Sequence, residues 1–97
     1  MYTGTYTVLP VSDMQYPGTG DIEINSSPQG AYVYIDGNSI IDTQGHAVLT
    51  PVRVTGVGQG IHEVQISLDR YYSKKIFINI VPDRVNEVSI TLQPIYE

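Results

Sequence analysis

The chain contains neither cysteine nor tryptophan. Without cysteine there is no disulfide scaffold, no thiolate nucleophile and no cysteine-ligated metal. Positive charge is also scarce. Arg53, Arg70, Lys74, Lys75 and Arg84 are its permanent cations, set against ten carboxylates, for a net charge of −5. Five scattered cations cannot neutralise a row of phosphates, so a nucleic-acid partner is excluded and an anionic membrane surface is disfavoured. No apolar run exceeds the length of one strand, and this chain is expected to insert nothing into a bilayer. Residues 1–20 have no basic start and no apolar core of a signal peptide, so any export signal is expected outside this chain. Alanine and leucine are few, and no amphipathic helical pattern emerges anywhere.

What is present favours strands and turns. Val, Ile, Thr and eight Tyr stand beside nine Gly and six Pro, a mixture suited to pleated, half-buried surfaces and tight reversals. With 97 residues, 41% of them apolar, the chain has length for one domain that buries roughly two-thirds of its unfolded surface. Residues 1–20 read as a linker or N-terminal arm, interrupted by Pro10 and Pro17, with one potential edge strand at Thr5–Leu9. Residues 21–94 read as the folded domain. Ile22 and Ile24 alternate with Asp21, Glu23 and Asn25 in a first strand beginning at Asp21. Ser26–Gly30 is a turn cluster, Ala31–Ile35 a second strand, and Asp36–Gly37–Asn38 a tight turn. Ser39–Thr50 gives only short apolar patches. Pro51–Val54 is a short strand, and Gly56, Gly58 and Gly60 mark a loose loop. Three further strands follow on Val64/Ile66/Leu68, Ile76/Ile78/Ile80 and Val88/Ile90/Leu92, each with aliphatics on one face. Strand starts recurring about every ten residues predict an all-β fold, a small antiparallel β-sandwich of about seven strands.

The order of motifs resembles the PEGA domain family. Asp21–Asn25 leads into Ser26–Ser27–Pro28–Gln29–Gly30–Ala31, then into a strand ending at Asp36–Gly37; Thr50–Pro51, Gly60–Ile61–His62 and Arg70–Tyr71 follow in the family's order. The likeness covers Asp21 to Leu92, and Pro28–Gly37 is its most specific part. Gln29 stands where the family's eponymous Glu would be, Arg70 replaces the usual Gly, and the link from Gly37 to Thr50 is longer than usual. The resemblance implies a transthyretin- or Ig-like sandwich in bacterial or archaeal surface proteins, including S-layer and other multidomain proteins, with no general enzymatic activity. It implies that Pro28, Gly30, Ala31, Asp36, Gly37, Thr50, Pro51, Gly60 and His62 specify the fold. Tyr71 is expected to bond backbone through its hydroxyl, as corner tyrosines in sandwiches do.

Chemistry beyond that is sparse. No Gly-x-Ser-x-Gly elbow occurs, and His46 and His62 accompany no nucleophile motif. His62 is expected to be a hydrogen-bonded structural histidine and His46 an exposed loop residue. Asp36 and Asp42 serve turns more readily than acid–base chemistry. Asp36–Gly37–Asn38 starts like a calcium loop, but Ile40 and Ile41 fall where an oxygen ligand and a glycine belong. Two distant histidines do not make a zinc site. Neither a metal nor another cofactor is expected. Asn25–Ser26–Ser27 matches a glycosylation acceptor but runs directly into Pro28. The best binding candidates are Tyr32 and Tyr34, on the face opposite Val33 and Ile35, with Tyr71 and Tyr72 at a turn. Flat rings bearing hydroxyls suit sugars and proteins alike. The chain therefore reads as a non-catalytic structural or interaction module at a cell surface or envelope. Envelope proteins or glycans are its expected partners, and two alternatives are a carbohydrate-binding module and an edge-strand or self-association module.

Overall fold

Alternating Ile/Val and polar positions build both layers of the molecule. The computed structural model describes residues 18–96, and Thr5–Leu9, with the rest of the expected arm up to residue 17, lies outside them. Seven strands form in order: β1 (Thr19–Ser27), β2 (Tyr32–Ile35), β3 (Asn38–Ser39), β4 (Val52–Gly58), β5 (Gly60–Ser67), β6 (Lys74–Ile80) and β7 (Val85–Thr91), with no helix among the described residues. They make a three-stranded sheet, β4-β1-β7, and a four-stranded sheet, β3-β2-β5-β6. The two meet over one core. Ile22, Ile24, Val54, Val57, Val88 and Ile90 come from the first sheet, and Val33, Ile35, Val64, Ile66 and Ile80 from the second, with Ala31, Ile40 and Leu92 closing it. Ile76 and Ile78 pack against this core but are only partly buried.

The all-β, two-sheet reading holds, with three differences in detail. First, β1 pairs with β7 in parallel, Asp21 beside Val85 through Ser27 beside Thr91, whereas the other ladders are antiparallel. Alternation fixes which face of a strand is buried but carries no information on its direction. Second, β1 reaches back to Thr19 rather than starting at Asp21. Gly20 permits this, since a Cβ there would lie 2.5 Å from the Val81 carbonyl oxygen.

Third, the glycine-rich stretch is not a loose loop. β4 runs on to Gly58, and β5 starts at Gly60. The register slips between Gly20 and Ile22, where two steps on β1 face three on β4, Val57 to Val54. Gly56, at φ 72°, lies within that bulge, a conformation glycine adopts without a Cβ clash. The uncertain stretch 39–50 is a short excursion held by bridges Ile41–Ala47 and Tyr32–Leu49 and by bonds from Ile40 N–H to Val33 O and Thr50 N–H to Ala31 O.

Candidate functional site

The family-like motif residues converge on two polar clusters. The first gathers around Thr50, which is buried along with Ser26. The Thr50 hydroxyl accepts from the N–H groups of Ala31 (3.0 Å) and Gly30 (3.1 Å) and lies 2.6 Å from the Ser26 hydroxyl. Ser26 donates its own proton to the Pro28 carbonyl at 2.7 Å, so the shared proton between the two hydroxyls must come from Thr50. Thr50 thus uses its full capacity and ties the end of β1, the Pro28 turn and the start of β2 together. The peptide bonds before Pro28 and Pro51 are both cis. Gly30, at φ 92°, adds a bond from its N–H to the Thr50 carbonyl.

The second cluster sits at the opposite end of β2. Asp36 and Gly37 both take positive φ, 53° and 83°, the conformation of a two-residue hairpin reversal. One Asp36 oxygen accepts from the Glu63 N–H at 3.0 Å, and the other meets His62 Nδ1 at 2.5 Å. His62 Nε2 donates to the Gly58 carbonyl at 2.7 Å. Both ring nitrogens face acceptors, so only the doubly protonated ring makes both bonds. Partial burial pushes the Asp36 carboxyl up, but the Glu63 N–H and the bond and charge of His62 outweigh it and hold the carboxyl below its ordinary value. The pair clamps the β2–β3 turn to the β4–β5 turn. His62 is hydrogen-bonded through both ring nitrogens, as expected, from within β5.

Asp42 and His46 occupy a separate, exposed turn. The N–H groups of His46 and Gln44 hold the Asp42 carboxyl below its usual range. His46 Nδ1 is 3.9 Å from Asp42 with its side chain largely in solvent. Asp36 and Asp42 serve different turns. Among the described residues no cluster of three or more His, Asp or Glu side chains could hold a metal ion.

The tyrosines divide. Tyr32, 47% exposed, and the half-buried Tyr34 lie on the outer face of β2, opposite Ser67 and Gln65 of β5. Tyr71 is partly buried against the core. Its backbone fixes it, through an N–H bond to Leu68 O and a bridge to Pro94. Tyr72 is exposed and anchored by its N–H to Gln93 O. The four therefore do not share one strand face.

Two features went unread in the sequence. Asn86 staples the β6–β7 turn to β1: its amide donates to Asp21 O (3.0 Å) and Val81 O (3.2 Å), and its oxygen accepts from the Val81 N–H (3.0 Å). Nothing but its position after a turn could have flagged it. The other is a pair of exposed apolar side chains on the outer face of the four-stranded sheet, Phe77 at 70% and Ile61 at 67%, with Glu63, ion-paired to Lys75, in register with Phe77. On the other sheet's outer face, Arg53 pairs with Asp21 at 2.9 Å, and Glu23 lies in register with Arg53 on one side and Glu87 on the other.

The sequence model of the PEGA domain matches residues 19–95, spanning every strand described above. Among curated proteins, none matches the chain.

Proposed function

Because the chain belongs to the PEGA domain family, we propose that it is a non-catalytic structural or interaction module of a cell-surface or cell-envelope protein, the setting typical of that family. The observation that carries this reading is the use to which the titratable side chains are put. Asp36 and His62 bind one turn to another, Asp42 caps its own turn, and Asp21 meets Arg53 across strands. Each satisfies backbone or a neighbour, and none is paired with a nucleophile. What remains exposed and distinctive is a sheet face carrying Tyr32, Ile61 and Phe77, with Tyr34 half-buried beside them, a surface for contact with another macromolecule.

The proposal is tested by screening the chain against ester, glycoside, phosphoester and peptide substrates, with Asp36→Asn, Asp42→Ala and His46→Ala variants alongside. No turnover is expected, and the substitutions should act through stability alone. A hydrolytic activity lost in one variant whose fold is intact would refute the reading. The exposed ring of Tyr32 beside Tyr34 favours a second reading, carbohydrate contact through β2. A glycan array without binding at millimolar sugar would remove it.

A further inference from the structure

Four strand edges terminate the two sheets, and they are protected unequally. β3 has two residues, β4 carries the bulge and two glycines, and β7 presents Glu87. β6 is different. It is seven residues long, pairs with β5 without a register break and, among the described residues, has nothing beyond it in the sheet. Its charges, Lys74 and Lys75, are confined to its start, and its centre carries the most exposed aromatic of the sheet face, Phe77, where a charge, a proline or a bulge would guard the edge. The inward residues of this strand, Ile76 and Ile78, are only partly covered by the opposite sheet.

We propose that β6 pairs with β6 of a second copy of this chain, antiparallel and centred on Phe77, to give one continuous eight-stranded sheet. This rests on the interaction-module reading and names its partner. The sequence Lys74–Lys75–Ile76–Phe77–Ile78–Asn79–Ile80 is self-complementary about its midpoint. In that register Phe77 faces Phe77, Ile76 faces Ile78, Lys75 faces Asn79 and Lys74 faces Ile80. Outward positions meet outward positions, as the pleat requires. Apolar meets apolar at the centre. The lysines lie at opposite ends, each beside the other copy's uncharged Asn79–Ile80 end, with acidic Asp83 beyond it, so no like charges oppose. Shifting the centre to Ile78 would set Lys74 opposite Pro82, which lacks an N–H.

The buried area sets the strength. A phenylalanine 70% exposed offers about 140 Å² of a ~200 Å² side chain, and the flanking isoleucines add less. The total falls below the ~1,200 Å² of a stable interface. The dimer is therefore concentration-dependent, and it tightens wherever the domain is displayed at high density or in tandem.

Sedimentation velocity of the full chain across a concentration series reads this directly. The weight-average mass should rise from monomer to dimer and stop there. Phe77→Lys should return it to monomer with an unchanged melting temperature. Asn79→Lys sets lysine against Lys75 of the other copy and should raise the midpoint concentration roughly tenfold, and adding Lys75→Glu should restore it. Because the chain has no cysteine, Phe77→Cys provides a clean register probe. It should form a disulfide-linked dimer on mild oxidation, while the equally exposed Ile61→Cys should not. A monomer at every concentration, a dimer untouched by Phe77→Lys, or equal cross-linking at both cysteines would overturn the pairing. None of these outcomes bears on catalysis, so failure here and failure of the non-catalytic reading remain separate results.

Discussion

Replacing Thr50 with valine isolates the buried hydroxyl at the junction of β1, the Pro28 turn and β2. Valine keeps the shape of threonine, so no cavity opens and the methyl count in the core rises. Three hydrogen bonds are affected, unequally. The Gly30 N–H retains the Thr50 carbonyl at 2.9 Å, and the Ser26 hydroxyl retains Pro28 O. The Ala31 N–H has the Thr50 hydroxyl as its partner, and Ala31 is wholly buried. One buried donor is thus orphaned, at a cost of about 1–3 kcal/mol. For a domain of this size that is roughly 8–16 °C of melting temperature at the middle of the range. Thr50→Ser is the paired control, since it keeps the hydroxyl and loses a methyl worth about 1 kcal/mol. Urea denaturation followed by circular dichroism should show the midpoint falling further for valine than for serine, with the slope unchanged. If the position mattered only for packing, valine would be the milder change. A Thr50→Val protein as stable as the parent, or more stable than Thr50→Ser, would refute the hydrogen-bond account.

The Asp36–His62 clamp should give an acid-side signature. A carboxyl held below its ordinary value contributes stability that is present above its unfolded value of about 3.9 and disappears as pH falls through the folded value. The stability difference between parent and Asp36→Asn, from urea titrations at each pH, should therefore shrink as pH falls below about 5. A difference that grows on acidification would contradict the clamp. Arg70 has φ 75°, a region costing an L-residue about 1–2 kcal/mol and one that glycine enters freely. Arg70→Gly should raise stability by about 0.5–1 kcal/mol, after allowing for glycine's greater unfolded-state entropy, and a lower melting temperature would show that the Arg70 side chain contributes more than its backbone costs.

The strands were legible because a half-buried sheet writes its two faces into alternate residues, and Ile22/Ile24, Val64/Ile66 and Val88/Ile90 do so without interruption. Turn chemistry was legible at Asp36–Gly37 for the same local reason. What stayed hidden depends on partners distant in sequence. The direction of β7 relative to β1 is decided by how the chain crosses between sheets, which alternation does not record. The run Gly56–Gly58–Gly60 looks like a loop by composition. A bulge opposite Asp21 needs such residues as much as a loop does, and pairing with β1 decided between them. Thr50 and His62 stood out through the family-like motif, yet their roles emerged only from contacts reaching 24 residues to Ser26 and 26 to Asp36. Asn86 had no local signature beyond its place after a turn.

The parallel pairing of β1 with β7 also decides how a pull on the two strands would be borne. Strands running in the same direction place the start of β1 and the end of β7 at opposite poles, separated by about 20–25 Å for seven paired residues. Polypeptide arriving at Thr19 and passing through Thr91, to be held beside Arg70 and Tyr72 by Ile95 and Gln93, crosses the body instead of doubling back, so a string of such domains would gain length from each. A pull along that string would act on the β1–β7 ladder in shear, with its rungs bearing tension together. In an antiparallel arrangement the same pull would peel the rungs apart one at a time.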